Sequence, residues 1–321
     1  MVSHLLPSSD QAPLCSAFTK SMGLRPAGTG LSLDRIILVS VPTPWPKPAL
    51  AHPWLKAASR AVVASAVPTR LFAAEPWLPD DEIGIELYER DGVGFRGYRW
   101  VIEQADMLED PGAVVAELVQ RIASAPHGTH GMAPIDVTVP TFLVCTQGSH
   151  DECCGRFGED LAGRIEVERP GYRLRRVSHT GGHRFAPTFL ALPSGRMWAY
   201  ADLALVDRVA NASVTIDDLL MLCRGWLGAS TGPGQVAELA ARIEAGNPFL
   251  TEPMISVAPA SSPEGDDVTS CEVTVDGTTI HVGVHKGREV PTIACESPGG
   301  LPVKVTNEYA WTVHVPATEE A

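Results

Sequence analysis

The sequence predicts a mixed α/β fold of the α+β kind, because strand-like and helix-like segments alternate along the chain. Continuous apolar runs at residues 35–41 and 137–145 predict buried strands. Residues 112–123 carry apolar side chains on one helical face, and residues 155–167 also fit a helix. A length of 321 residues favours more than one domain, since domains average about 150 residues.

The N-terminal region, residues 1–134, is predicted to be a mixed α/β region of its own. Residues 1–30 are rich in Ser, Pro and Gly and are interpreted as a loosely held lead-in. The predicted elements that follow are a strand at 35–41, a helix at 49–66 broken at Pro53, strands at 69–75 and 82–89, and a helix at 112–123 capped by Asp110. A Gly-, Pro- and His-rich stretch at 124–134 indicates a domain boundary near 134.

The central region, residues 135–230, is predicted as strand, helix and strand, then a hairpin and a further helix. The two strands, 137–145 and 172–178, end next to Cys145 and His179. Because an open α/β sheet presents its functional loops beyond the carboxyl ends of its strands, we expect these residues to meet.

The last region, residues 231–321, is predicted as a helix followed by a small β-rich extension. The helix spans 232–246, a Pro- and Ser-rich linker spans 251–267, and Asp276-Gly277 marks a hairpin within 270–284. A last strand is expected at 309–315. No internal repeat is found in the sequence.

Composition excludes two classes of partner. A formal charge of −13 argues against nucleic-acid binding, and the basic run at 173–176 is interpreted as a solvated strand face. No stretch of about 18 apolar residues occurs that could span a membrane, and no targeting segment is visible, so cytosolic residence is the expectation.

Two residue pairs predict a metal site. Cys145 and Cys154 have eight residues between them, and His179 and His183 have three. The Cys-x8-Cys spacing is wider than in structural zinc knuckles, and His-x3-His here spans a Gly-Gly turn instead of one helical face. A mixed [2Fe-2S] cluster accepts such loops, and Gly181 and Gly182 would supply positive φ and close approach.

The neighbours of these ligands receive separate interpretations. Of two adjacent cysteines, Cys154 is expected to be the ligand and Cys153 a neighbour. His150 and Asp151 are interpreted as a solvated loop face, and Arg184 either offsets the charge of the site or lies on the surface. Of the seven cysteines, the four distant in sequence are interpreted as small buried hydrophobic residues: Cys15, Cys223, Cys271 and Cys295.

The central motif resembles the sucrase/ferredoxin-like family. The resemblance is carried by Cys145-Thr-Gln-Gly-Ser-His-Asp-Glu-Cys-Cys-Gly155 followed by His179-Thr-Gly-Gly-His-Arg-Phe-Ala-Pro187. It implies a thioredoxin-like [2Fe-2S] ferredoxin domain in which Cys145 and Cys154 hold one iron and His179 and His183 the other. The redox potential is then expected to be coupled to protonation of the two histidines.

The leading functional hypothesis is therefore a cytosolic electron-transfer protein. The absence of a flavin or nicotinamide motif suggests a separate reductase as electron donor, and the acceptor is unknown. Two alternatives stay open. One is a thiol-redox enzyme of thioredoxin-like fold with Cys153 or Cys154 as nucleophile, and the other is a zinc-stabilised binding module.

Overall fold

A computed structural model gives the fold, and its described residues are 3–8, 10–11, 13–79, 82–103, 110–136, 138–246, 257–259, 268–275, 278–295, 302 and 304–314. Within them the chain forms seven α-helices and fourteen strands. The helices are α1 Cys15–Ser21, α2 Pro53–Val63, α3 Pro111–Ser124, α4 Glu159–Glu168, α5 Leu203–Ala210, α6 Ile216–Leu222 and α7 Gly232–Glu244. The strands are β1 Arg35–Ser40, β2 Thr69–Ala74, β3 Glu82–Asp91, β4 Gly94–Glu103, β5 Ala133–Ile135, β6 Thr141–Cys145, β7 Arg173–Val177, β8 Phe189–Leu192, β9 Arg196–Trp198, β10 Cys223–Trp226, β11 Val257–Pro259, β12 Val268–Val275, β13 Thr278–Thr292 and β14 Lys304–His314.

Strands β1 to β10 form one mixed sheet of ten strands, in the order β10-β9-β8-β6-β7-β2-β1-β3-β4-β5. It contains the same arrangement twice. β1 is parallel to β2 and antiparallel to β3, and β6 is likewise parallel to β7 and antiparallel to β8. The two units meet where Ala74 of β2 pairs antiparallel with Val177 of β7. The topology is thus repeated although the sequence shows no repeat.

The predicted mixed α/β class is confirmed, and most predicted elements lie where their patterns put them. Asp110 caps α3 by accepting from the backbone N–H of Gly112 at 2.9 Å. The interpretation of residues 1–30 as a loose lead-in is wrong, because α1 forms there and its Cys15 is fully buried. Six elements have no counterpart among the predictions: α1, β4, β5, α5, β10 and β11. The Asp276-Gly277 turn and most of the 251–267 linker lie outside the described residues.

The predicted division into three regions stays a prediction. β5 crosses the expected boundary at 134 and pairs with β4. The C-terminal strands β11 to β14 form a second sheet of four strands, against which α7 packs. Its last strand also contacts the N-terminal segment, since Glu308 accepts from the backbone N–H of Arg25 at 2.9 Å.

The basic run at 173–176 is not a simple solvated face, so that interpretation is wrong. Arg175 lies 2.6 Å from the buried carboxylate of Glu86, and Arg176 lies 2.9 Å from Glu166. Both arginines are paired with acids, Arg175 with a buried one and Arg176 with an exposed one, so they do not form a free cationic surface for phosphates. In the part of the chain that the structure describes, no helix has the length and apolar character needed to cross a membrane.

A buried ion network ties α7 to the edge of the large sheet. Glu238 is fully buried and forms ion pairs with Arg196 of β9 and with Arg242 one helical turn further along α7. Removing the carboxylate would leave buried guanidinium charge uncompensated, which is strongly destabilising.

We expect Glu238→Ala to lower the free energy of unfolding by about 3–5 kcal/mol, because the buried Arg196 charge loses its carboxylate partner. Urea unfolding followed by circular dichroism measures the change. Glu168→Ala is the control, since it removes only the half-exposed i,i+4 pair with Arg164 and should cost less than about 1 kcal/mol. Equal losses in the two variants would contradict a structural role for the network.

Candidate metal centre

Two loops leave the sheet side by side and carry the predicted ligands. Parallel pairing of β6 with β7 places Cys145 opposite Val177, and the backbone N–H of Thr146 donates to the Val177 carbonyl at 3.1 Å. The cysteine loop, residues 146–154, and the histidine loop, residues 178–183, therefore start together. The Gln147 side chain joins them by accepting from the backbone N–H of His179 at 3.0 Å.

Glycines let the cysteine loop fold back on its own strand. Cys154 begins a single π-helical turn, Cys154–Gly158, that continues into α4. A Cβ at Gly158 would lie 2.0 Å from the Cys145 carbonyl oxygen, and one at Gly155 would lie 2.6 Å from the Cα of Gly148. Side chains at these positions would force the turn away from β6, so the close approach of Cys154 to Cys145 depends on their absence.

Three of the four predicted ligands are brought together. The ligand atoms of Cys145, Cys154 and His179 all lie within 4.8 Å of one another. His179 Nδ1 is 3.8 Å from each of the two sulfurs. Both cysteines are only 1% exposed, so the thiols are closed off from solvent.

The fourth predicted ligand, His183, lies beside this group, but its Nδ1 points away from the two sulfurs and toward Asp151. Its ring centroid is 6.2 Å from that of His179. His183 Nδ1 is 3.0 Å from Asp151 Oδ2 and 3.2 Å from Cys15 Sγ. The imidazole is thus held by a carboxylate, which is how metal-ligating histidines are commonly oriented through their second nitrogen.

The histidine loop has the backbone that its glycines predicted. Gly181 and Gly182 have φ of 82° and 72°. The group packed closely against this turn is the Arg224 guanidinium, since a Cβ at Gly182 would lie 2.6 Å from Arg224 Nη2. Arg224 donates to the Gly181 carbonyl at 2.9 Å and so fixes the turn between the two histidines.

Arg224 is the buried positive charge of the site. It is 2% exposed, and burial together with Arg184 lowers its pKa to about 10 although Cys145 and Cys154 act in the opposite direction. Arg184 itself packs on the Phe185 ring at 4.7 Å, and burial lowers its pKa. Arg184 is half-buried, and its Nε has no hydrogen-bond partner among the described residues, so it is not a fully exposed surface arginine.

His150 and Asp151 do not form a solvated loop face, so that interpretation is wrong. The His150 ring stacks on His179 with centroids 3.6 Å apart and planes 16° from parallel. Burial and the neighbouring His179 lower the pKa of His150 to about 4, so its ring is neutral at pH 7. Burial opposes ionisation of Asp151, but hydrogen bonds to His183 and Cys295 outweigh it and lower its pKa.

The paired thiols favour one thiolate. The hydrogen bond from Cys154 lowers the pKa of Cys145 well below its usual range against the effect of burial. The same hydrogen bond and burial raise the pKa of Cys154. A buried thiolate beside an imidazole is a pair of donors that can bind a metal cation.

A second group of thiols lies on the other side of the cysteine loop. Cys153 points away from Cys154, and its sulfur contacts those of Cys15 and Cys295 at 3.6 and 3.0 Å. Cys15 is buried as expected and Cys295 is half-buried, but both sulfurs contact Cys153, so the two residues are more than small buried hydrophobic residues. Cys223 and Cys271 are buried core residues, as expected.

The first group of predicted ligands lies within the part of the chain that matches a known protein family. The profile of the sucrase/ferredoxin-like family matches residues 26–222. The chain belongs to this family. The match contains all four predicted ligands and leaves out Cys15 and Cys295. No curated protein and no solved structure matches the chain. The family and the Cys/His group together are compatible with metal binding.

We expect Gly182→Ala to lower the free energy of unfolding by more than about 1 kcal/mol, because a Cβ at positive φ is strained and would contact Arg224. Urea unfolding measures the change, and metal content per chain shows whether the histidine loop is displaced.

The control for this variant is Gly163→Ala in α4, where an added Cβ meets no atom within 4 Å. Alanine should stabilise that helix by about 0.5–1 kcal/mol. A Gly182→Ala protein as stable as the parent would show that the turn does not need glycine.

Proposed function

We propose that the protein transfers single electrons by means of a [2Fe-2S] cluster held by Cys145, Cys154, His179 and His183. The observation that carries the proposal is the buried convergence of two thiols and an imidazole at the ends of adjacent parallel strands, with the second imidazole alongside. Residues 135–230 would then be a thioredoxin-like ferredoxin domain.

The donor set fits this cofactor. Two thiolates and two neutral imidazoles are the ligand types of mixed His2Cys2 clusters. Arg224 adds a buried positive charge next to the cysteines, which offsets the negative charge that thiolates and sulfide bring. The bound cluster would supply a reversible one-electron couple.

Neighbouring side chains hold the proposed ligands in position. Gln147 fixes the start of the histidine loop, Arg224 fixes its glycine turn, and Asp151 holds Nδ1 of His183. His150 covers one face of the His179 ring and reduces the access of water to it. A rigid ligand shell lowers the reorganisation that accompanies gain or loss of an electron.

Burial argues against the thiol-redox alternative. Cys153 is 0% exposed and Cys154 is 1% exposed, so neither sulfur can be attacked by, or attack, a thiol of another protein without local opening. A buried cluster can still exchange electrons with a docked partner. The zinc-module alternative uses the same four ligands, and metal analysis separates it from the proposal.

The partners follow from the chemistry. An electron carrier without a flavin or nicotinamide motif needs a separate reductase as donor and a further protein or substrate as acceptor. We propose that this exchange takes place in the cytosol. Protonation of the ligating histidines would couple the redox potential to pH.

We expect anaerobically purified protein to be red-brown with about two iron and two sulfide per chain. Cys145→Ser and Cys154→Ser should abolish iron retention, whereas Cys153→Ser should keep most of it because its sulfur faces the other thiol group. Iron, sulfide and the electron paramagnetic resonance spectrum of the reduced protein are the measurements. A colourless parent without iron, or loss of iron confined to Cys153→Ser, would overturn the ligand assignment.

We expect the reduction potential to lie in the window of roughly −150 to +300 mV of clusters with two histidine ligands. It should fall with rising pH by about 59 mV per unit where one proton accompanies each electron. His179→Cys and His183→Cys should lower the potential and flatten the slope, because thiolate adds negative charge and removes the titrating ring.

Film voltammetry between mildly acidic and strongly alkaline pH measures both quantities. His281→Ala is the control, since it removes a half-exposed imidazole of β13 and leaves all four proposed ligands and the stacked His150 in place. Cysteine variants that keep the parent's potential and slope would show that these histidines do not ligate the cluster.

A further inference from the structure

A second cluster of metal-ligating side chains lies outside the [2Fe-2S] site. It consists of Cys15, Cys153, Cys295 and Asp151, and their ligand atoms all lie within 4.8 Å of one another. The three cysteines come from α1, the cysteine loop and the segment after β13, and are between 138 and 280 residues apart in sequence. Two of them fall outside the residues that the family profile matches.

The sulfurs form a nearly regular triangle. Cys15 and Cys153 are 3.6 Å apart, Cys15 and Cys295 3.4 Å, and Cys153 and Cys295 3.0 Å. In a regular tetrahedron with metal–sulfur bonds of 2.3 Å the sulfurs are about 3.8 Å apart. The three separations are shorter than this value, so the sulfurs would move apart by about 0.2–0.8 Å around one ion. A multi-iron cluster would hold cysteines on different irons much further apart.

Asp151 supplies the fourth corner. Its Oδ1 lies 3.3 Å from Cys295 Sγ and 3.6 Å from Cys15 Sγ. Its other oxygen, Oδ2, lies 3.0 Å from His183 Nδ1. One carboxylate oxygen can thus complete a tetrahedron while the other accepts from an imidazole, an arrangement common around protein metal ions.

Backbone N–H groups point at two of the three sulfurs. The backbone N–H of Ser16 points at Cys153 Sγ at 3.5 Å, and that of Cys15 at Cys295 Sγ at 3.4 Å. Cys15 and Cys153 are 0% exposed, the Asp151 side chain is 7% exposed, and Cys295 is half-buried. Three thiolates and a carboxylate in so dry a place would repel one another, and a divalent cation removes that cost while the thiol protons leave to solvent.

We propose that Cys15, Cys153, Cys295 and Asp151 bind one structural Zn²⁺. Closed tetrahedral sites rich in thiolate are those that zinc prefers, and such ions stabilise folds by joining distant segments. Here the ion fastens α1 and the segment after β13 onto the cysteine loop. Through Asp151 it also fixes the carboxylate that holds His183. The site does not depend on the function proposed above.

The test is metal analysis of the full chain after dialysis against metal-free buffer. The parent should retain about one zinc per chain. Cys15→Ala and Cys295→Ala should lose most of it and keep their iron, because none of the proposed iron ligands changes. Cys271→Ala is the matched control, since it removes a buried thiol on β12 that lies outside the cluster, and it should keep the zinc.

Cys145→Ala separates the two sites, since it should lose iron and keep zinc. Retention of zinc by both Cys15→Ala and Cys295→Ala would overturn the proposal. So would zinc loss in Cys145→Ala alone, because the ion would then belong to the other group.

A measurement on the unmutated chain tests the proposal even if the cysteine variants fail to fold. Co²⁺ added to zinc-depleted parent should give the intense visible absorption of tetrahedral thiolate coordination, and Cys271→Ala should give the same spectrum. A zinc-free parent that shows no such spectrum overturns the proposal. Mass spectrometry after alkylation that finds a Cys153–Cys295 disulfide in the purified parent also overturns it.

Discussion

Parallel pairing of β6 with β7 is the constraint on which the candidate centre depends. Because Cys145 stands opposite Val177 at the last rung of that ladder, the two loops that follow leave the sheet at neighbouring points. Each loop must then turn within a few residues, which is why glycines occupy the tight positions. The missing Cβ of Gly158 lets the π-helical turn pack on the Cys145 carbonyl, and the missing Cβ of Gly182 leaves room for Arg224. Three of the predicted ligands, Cys145, Cys154 and His179, are thereby brought within 4.8 Å of one another, with His183 alongside.

The cysteine loop has two faces, and adjacent residues serve different ones. Cys154 turns toward Cys145 and His179, whereas Cys153 turns toward Cys15 and Cys295. Asp151 lies between the groups and contacts both the second thiol group and His183. Buried thiolates on both faces need positive charge nearby. Arg224 provides it on one side, and metal ions are the remaining candidates on both.

The two units of the repeated sheet topology have different roles at the candidate centre. The unit that contains β6 and β7 carries the predicted ligands, and the unit that contains β1 and β2 supports them from the side. After β1 the chain forms a Pro-rich loop that packs on the cysteine loop. Gln147 donates to the Pro46 carbonyl at 2.8 Å, and Ser149 donates to the Trp45 carbonyl at the same distance. The supporting loop occupies in its own unit the position that the cysteine loop occupies in the other, since both follow the first strand of their unit.

Local patterns in the sequence determined the α/β class, most strands and helices, and the pairing of a cysteine loop with a histidine loop. They could do so because side-chain periodicity and turn glycines act over a few residues. β4 was missed because Gly and Arg interrupt its alternation, and α5 because it has only eight residues. Only the tertiary structure decided that His150 stacks on His179, that Arg224 holds the glycine turn, and that Cys15 and Cys295 meet Cys153. Some of those contacts join segments that are distant in sequence, and the others depend on side-chain directions that are fixed only by packing. No local sequence pattern encodes either kind of contact.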